Sequence, residues 1–471
     1  MMRRTAACLA AALLAALPVA EPVSAQTEAV QDDPPATAVE LTLPQLRALA
    51  ARAVQAGRYD AALQLAGLML AADAEDSYAH FVVAEAHLRG GDPRLAREAA
   101  HLSYRHADTD VQKHEAARAA AAASAREGRF LPAQIWMRRA LWSSPGEAMT
   151  QRAANEFRAL RRKARLRIDG GLTVAPSSNV NGGSSERVNT IEGLPLVGIL
   201  SPTAQALSGT VARAEMTLRY RLARNERAQT ELRAHGEVKR VWLSDEAQDK
   251  APSADNGDFG SSLLEAGLMH RRSLAEKGPV LSLGVHGGRS WAAEAPRYDF
   301  GRVSAAMVQS LGARTALTIG HMRQEQYDLD GTADNVTTQA WSLGVMRRLA
   351  QGSRLSLNYQ VADSQSENVN AVRRTEGLRA RFDLGRPVGP VKLGLSLSAF
   401  DSHYPDYRVV LPVPGGREDR FYGADLDLTL HRFDVAGFVP KVRLSAERSE
   451  SNVSRFDTEE YSISVGIESR F

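Results

Sequence analysis

The sequence predicts an α + β protein with its two classes in separate domains, α-helical repeats first and then a transmembrane antiparallel β-barrel of about 14 strands. Three observations predict it. The hydrophobic period is helical through the first third and becomes two beyond Arg165. A glycine-led block recurs in the helical third. In the remainder, long and short connections alternate between the period-two segments. The clearest of these segments closes the chain: Tyr461, Ile463, Val465, Ile467 and Phe471 share one face of an extended strand, and Ser462, Ser464, Gly466, Glu468 and Arg470 share the other. An apolar face against a polar one, repeated in series, suits a barrel with lipid outside and a polar lumen.

Residues 1–25 read as an export signal. Arg3 and Arg4 give a positive start, Cys8 to Leu17 an apolar stretch, and Val23-Ser24-Ala25 a small-residue cleavage site. The alternative, an uncleaved anchor, needs roughly 20 apolar residues, more than this stretch supplies. Cys8 is the only cysteine and leaves with the signal, so the mature chain is expected to hold neither a disulfide nor a thiolate metal site. It also lies too early to be a lipid-attachment cysteine. Of 58 basic and 55 acidic residues, the signal removes Arg3, Arg4 and Glu21, which leaves 56 against 54. A balance this near neutral argues against a nucleic-acid partner. No later segment is apolar for long enough to span a membrane as a helix, whereas alternation hides a barrel from any averaged hydropathy.

Residues 26–42, with Asp32-Asp33-Pro34-Pro35, read as a flexible leader. Residues 43–163 are alanine-rich and helical in period. Within them Gly57-Arg58-Tyr59-Asp60-Ala61-Ala62, Gly91-Asp92-Pro93-Arg94-Leu95-Ala96 and Gly128-Arg129-Phe130-Leu131-Pro132-Ala133 recur at spacings of 34 and 37 residues. The glycine turns the chain between helices, and Ala62, Ala96 or Ala133 lets the second helix cross closely. Leu65, Leu68, Phe81, Val82, Leu102, Ile135, Trp136 and Leu141 are expected to fill the stack. The pattern resembles tetratricopeptide repeats, whose stacked pairs leave a concave groove that takes protein segments. An ordinary alanine-rich bundle is the competing reading.

Residues 165–471 carry the barrel. Val391, Leu393, Leu395, Leu397 and Ala399 alternate with polar or small residues, as do Leu355, Leu357, Tyr359 and Val361, the run Trp341, Leu343 and Val345, and the run Tyr422 to Leu430. A long polar loop follows the first strand. Further long loops are expected near 244–258, 291–298, 327–336, 363–370, 403–418 and 451–458, with tight turns near 223–228, 273–278, 312, 350–352, 386–389 and 433–437. Short turns face the periplasm in such barrels, which puts the helical domain and the C-terminus there. Aromatic residues make up only 6% of the chain, sparse for two interfacial girdles, yet Trp242, Trp291, Trp341, Tyr220, Tyr298, Tyr359 and Tyr461 fall within or at the ends of strands, where girdles belong.

Charge is concentrated on the polar faces of two successive strands, with Arg213, Glu215, Arg219 and Arg221 on one and Glu231, Arg233, His235, Glu237 and Lys239 on the next. Two readings stand: a charged lumen wall that guides a passenger or ion, and a self-satisfied ladder that fills the interior. No motif for nucleophilic, metal-dependent or phosphate chemistry is present, no cofactor is implied, and the chain is not expected to be an enzyme. The 11 histidines are scattered; His80 with His87 and His101 with His106 lack the spacing and acidic partner of a metal site. A hydrolase assembled from neighbouring strands would carry no sequential motif.

Just after the first barrel strand comes Pro176-Ser177-Ser178-Asn179-Val180-Asn181. With helical repeats before it and a barrel after it, this run resembles the surface lipoprotein assembly modifier family; as a bare sequence it also suits a polar turn. The resemblance implies an outer-membrane translocator of a Gram-negative bacterium that delivers client lipoproteins or secreted proteins to the cell surface, its periplasmic repeats holding the client or a periplasmic chaperone. A porin-like channel and a polysaccharide-export barrel, each with a periplasmic scaffold, are the alternatives. The terminal aromatic Phe471 is expected to serve as the signal that the barrel-assembly machinery reads.

Overall fold

The computed structural model describes residues 41–329, 331, 334–431, 433 and 438–469. The signal segment, nearly all of the leader and Phe471 lie outside the described residues. Seven helices come first: α1 (Leu43–Gln55), α2 (Tyr59–Ala72), α3 (Ser77–Gly90), α4 (Pro93–Arg105), α5 (Asp110–Arg126), α6 (Phe130–Trp142) and α7 (Glu147–Lys163). The first six pair as three successive antiparallel hairpins, α7 packs on α6, and each predicted glycine stands just ahead of the second helix of a pair. Gly57, Gly91 and Gly128 all take positive φ, at 75°, 96° and 76°, the left-handed region that favours glycine. Starts are set by caps. The Asp76 carboxylate accepts the amides of Tyr78 and Ala79, Asp92 accepts that of Leu95 ahead of Pro93, and Thr109 forms a capping box with Gln112.

Alanine builds the stack. Ala62, Ala66, Ala79, Ala96, Ala121, Ala133 and Ala140 are fully or almost fully buried, letting the helices cross closely around Met69, Val82, Met137, Leu141 and Phe157. Burial of a Phe157-sized side chain contributes about 1.5–3 kcal/mol. Three of the residues expected in this core are not in it: Leu68, Leu102 and Ile135 face outward. The small side chains bring the helices so close that larger ones at those positions have no interior to enter.

The barrel follows. Its strands are β1 (Leu166–Ser177), β4 (Gly209–Arg224), β5 (Ala228–Leu243), β6 (Ser261–Ser273), β7 (Val280–Ala292), β8 (Ala295–Ser310), β9 (Thr315–Asp328), β10 (Val336–Arg348), β11 (Arg354–Ser366), β12 (Arg373–Asp383), β13 (Lys392–Tyr404), β14 (Arg417–Thr429), β15 (Phe438–Ser451) and β16 (Thr458–Ser469). They form a closed antiparallel meander of 14 strands in which β1 pairs with both β4 and β16. A two-stranded hairpin, β2 (Val188–Ile191) and β3 (Leu194–Ile199), sits inside the first long loop, and a short helix, α8 (Asp245–Lys250), inside the second.

One connection differs from expectation. Between β7 and β8 there is no long loop at 291–298 but a tight turn whose central residues, Ala293 and Glu294, take φ of 47° and 66°. Paired positive φ is the geometry of a type I′ hairpin, a turn that Asn or Gly usually announces and that Ala-Glu does not.

Side chains obey the alternation. Ile168, Leu172, Val174, Met216, Leu264, Val285, Ile319, Leu343, Leu397, Ile463 and Val465 are large, apolar and exposed on the outer wall. Trp242, Trp341, Tyr220, Tyr359 and Tyr461 are exposed with them, whereas Tyr298 shares the inner face with the buried Phe300. Phe300 fills the space above Gly288, where a Cβ would meet its ring at 2.7 Å.

Candidate functional site: the lumen, its inward loop and the helical groove

The inner wall is held by ion pairs along one strand, between adjacent strands, and across an intervening strand. Asp427, buried on β14, accepts from Arg381 of β12 at 3.0 Å and Arg443 of β15 at 2.7 Å, with the Lys441 ammonium at 3.6 Å. Arg381 also binds Asp383 at 2.8 Å. Across the lumen wall, Glu265 pairs with Arg302 at 3.3 Å, and Arg302 donates to Gln324 at 2.8 Å. Charges enclosed in this way are retained because each has a partner; removing one partner leaves the other uncompensated.

The nine charged positions on β4 and β5 divide by role. Glu231 is buried and binds Arg233 at 3.1 Å, His235 Nδ1 and Thr217 Oγ1 are hydrogen-bonded at 2.9 Å, and Arg219 pairs with Asp169 of β1 at 3.1 Å. These belong to the ladder. Arg213, Glu215 and Glu237 line a cavity of about 740 Å³, together with Arg219, Asp425, Lys441, Arg443, Glu447 and Glu460. Lys239 donates to the Val180 carbonyl at 2.8 Å, and Arg221 to the Lys163 carbonyl at 2.8 Å. Part of the charge is thus paired along the wall, and part faces the cavity.

Lys239 leads to the Pro176–Asn181 run. Asn179 is buried; its Nδ2 donates to the carbonyls of Gly183 at 2.8 Å and Glu459 at 3.3 Å, while its Oδ1 accepts the Gly183 amide at 2.9 Å. Asn181 Nδ2 donates to the carbonyls of Thr203 and Gln205, and its Oδ1 accepts the Leu207 amide. These bonds fold the first loop back on itself. They drive Val180 and Leu207 onto Val211 and Val241, which lie on the same strand faces as Arg213 and Lys239. The loop thereby turns inward at the long-loop end of the lumen, and Ala247 and Ala251 close over it. Sequence reasoning located the run, but the inward fold depends on partners at 203–207 and 459 that no local pattern reveals.

Above this, the hairpin β2–β3 packs with the loop after β13 and the one after β15 through Ile191, Leu194, Val413, Val453, Tyr407 and Phe456. Arg417 lies between the rings of Phe456, at 3.3 Å, and Tyr404, at 4.2 Å, and binds Asp419 at 2.5 Å. The long loops are thus a packed cap.

At the short-turn end the helical stack meets the barrel. Only Ala164 and Arg165 separate α7 from β1. Arg161 of α7 donates to Asp169 at 2.7 Å, on the same lumen-facing carboxylate that Arg219 binds, and Arg138 of α6 stacks 4.4 Å over Phe438. Beside this junction α3, α5, α6 and α7 form a hollow of about 330 Å³. Ala119, Ala122, Ala159, Met137 and Leu160 make its apolar lining, and Glu85, Glu115, Arg118 and Glu156 its polar groups. Burial works against the Arg118 charge, but the Glu156 and Glu115 carboxylates, at 2.8 and 2.9 Å, hold its pKa above the ordinary guanidinium value. The hollow therefore offers small apolar surface beside fixed charge.

His80, His101 and His106 pack against other rings in the stack. His80 and His106 stack at 5.8 Å, and His101 lies on Trp136 at 4.6 Å, its pKa depressed by burial and then by Arg97 and Arg139. Among the described residues no group of three or more His, Cys, Asp or Glu is arranged to hold a metal.

No family model matches the chain, and no curated protein matches it. Among solved structures, the helical part is similar to the Yersinia enterocolitica type III secretion chaperone SycD in complex with a peptide of the translocator YopD, at 19% identity over 26% of this chain and 93% of that one, with a TM-score of 0.24. The barrel is similar to OccAB4 of Acinetobacter baumannii, at 10% identity over 64% and 97% of the two chains (TM-score 0.33), and to an outer membrane channel of Pseudomonas putida F1, at 11% over 64% and 94% (TM-score 0.34). Scores this low carry no functional argument. The class rests on the chain's own surfaces: a closed barrel of 14 strands with an apolar outer wall and a charged interior is an outer-membrane β-barrel, here preceded by stacked helical hairpins.

Proposed function

We propose that this chain is an outer-membrane translocator that delivers lipoprotein or secreted client proteins to the cell surface, with its helical stack in the periplasm engaging the client or a chaperone that carries it. The observation that carries this reading is the junction at the short-turn end. A groove with an apolar lining is fixed by Arg161–Asp169 and Arg138–Phe438 beside the mouth of a charged lumen. A segment released from the groove would meet the lumen without leaving the protein. Short turns face the periplasm in barrels of this kind, which supports a periplasmic stack. The likeness of the Pro176–Asn181 run to surface lipoprotein assembly modifiers points the same way.

A porin-like channel is the second reading, favoured by the polar cavity of about 740 Å³. The apolar contact of Val180 and Leu207 with the inner wall weighs against free passage of solute. Protease shaving of intact cells with and without the chain separates the two. Translocation predicts that at least one lipoprotein or secreted protein is cleaved at the surface only when the chain is present. An unchanged surface profile alongside altered small-solute uptake or exopolysaccharide output overturns it.

A further inference from the structure

Helix α6 is apolar on two sides. Its inner side, Ala133, Met137, Ala140 and Leu141, is buried in the stack. On the other side Leu131, Ile135, Arg138 and Trp142 fall within roughly 60° of one another about the axis. Trp142 is 69% exposed, Ile135 49% and Leu131 38%. A helix with two apolar faces calls for a second apolar surrounding.

Arg138 says where that surrounding is. It stands in the middle of the stripe, and its guanidinium lies 4.4 Å over the ring of Phe438. Phe438 opens β15 at the short-turn end, on the face of the strand that carries Val442 and the exposed Leu444, the outer wall. The stripe is thus continuous with the lipid-facing surface of the barrel, because one of its members touches that surface's edge.

We propose that Leu131, Ile135 and Trp142 form a membrane-docking face, entering the leaflet at the short-turn end and holding the helical stack against the bilayer beside the lumen mouth. Tryptophan suits this boundary, with an apolar body for the acyl region and an indole N–H for the headgroups. An interfacial helix of this kind sinks about 5–10 Å into the headgroup–acyl boundary. The placement would keep the groove lined by Ala119 and Ala159 close to the barrel mouth. The proposal rests on the barrel alone and stands whether or not the chain moves proteins.

The test uses the full chain, carrying Cys8→Ser, in nanodiscs of phosphatidylethanolamine and phosphatidylglycerol. Single cysteines, Ile135→Cys and Leu68→Cys, carry an environment-sensitive fluorophore. Leu68 is 62% exposed on α2, well away from α6 in the chain order of the stack, and serves as the control. Nitroxide placed on the lipid headgroup or upper acyl chain should quench the label at 135 by about half or more and leave the label at 68 nearly unchanged, while aqueous iodide should do the opposite. Equal lipid quenching at the two sites overturns the proposal. So does shielding of 135 that persists in detergent and scales with protein concentration, which would assign the face to a second copy. Shielding of 135 that develops only when a client protein is added also overturns it.

Discussion

The helical stack and the barrel are built inside out with respect to each other. In the stack Ala121, Ala140 and Phe157 are buried and most charges lie outside or along the groove, with Asp76 the buried exception at the α3 cap. In the barrel Trp341 is 58% and Ile463 53% exposed, while Asp427 and Glu231 are buried. One chain cannot satisfy both arrangements in one solvent, because apolar surface leaves water and charge seeks it. The contrast therefore locates the water: around the stack, and within the barrel. The largest expected effect tests this directly. Val465→Arg, near the middle of β16, should cost about 2–4 kcal/mol in a bilayer, where the guanidinium enters hydrocarbon. Leu68→Arg, at a similarly exposed site on α2, should stay within about 0.5 kcal/mol. Denaturant unfolding of both variants in lipid vesicles provides the numbers. Equal costs would dissolve the contrast.

That contrast was legible in the sequence because it is local. A period of two in Tyr461 to Ile467, or a glycine before Tyr59, Pro93 and Phe130, needs no knowledge of distant partners. What escaped depends on register. Asp427 meets Arg381, 46 residues away, only because β12, β13 and β14 are neighbours with a defined offset. Asn181 reaches Thr203 only once the loop has folded inward. The outward stance of Leu68, Leu102 and Ile135 escaped for a related reason. Their spacing is compatible with a core stripe, and the alanines of neighbouring helices decide how much interior there is to fill.

Within the barrel a second comparison concerns the two edges of β1. Toward β4 the pairing is continuous, from Leu166↔Tyr220 to Ser177↔Gly209. Toward β16 it runs from Gly171↔Glu468 to Val174↔Val465, passes over Ala175 and Pro176, and resumes at Ser177↔Ser462. Proline has no N–H to give the ladder. Side chains reinforce the pairing beyond this gap: Ser177 Oγ donates to Glu460 at 2.8 Å, Ser178 Oγ accepts the Tyr461 amide at 2.9 Å, and Asn179 Nδ2 reaches the Glu459 carbonyl. The residues of the Pro176–Asn181 run thus close the barrel as well as fold its first loop. Asn179→Ala deletes three bonds at a buried position and should cost about 1–3 kcal/mol. The expected readout is a lower temperature for loss of the compact band in semi-native gels, with a smaller drop for Ser178→Ala. No shift for Asn179→Ala would mean that the backbone pairs alone hold the seam.

The smallest expected effect belongs to the stack and distinguishes it from the barrel by pH. Burial pushes the Asp76 carboxyl pKa up, but the Arg47 guanidinium at 2.9 Å and the amides of Ala79 and Tyr78 outweigh it, so the net shift is downward. A carboxylate with a lowered folded value stabilises the fold fully above its ordinary value of about 3.9, and that contribution is lost as pH falls toward and through the lowered one. The first helical repeat should therefore weaken between about pH 5 and pH 3. Asp76→Asn keeps a side-chain oxygen for the α3 cap and removes the charge, so it should lower stability at neutral pH by about 1 kcal/mol or less and flatten the acid dependence. Helix-specific circular dichroism during urea titration at pH 7 and pH 3.5 reads both effects. An acid dependence as steep in Asp76→Asn as in the parent chain would move the sensitivity to another carboxylate and leave Asp76 with only the cap.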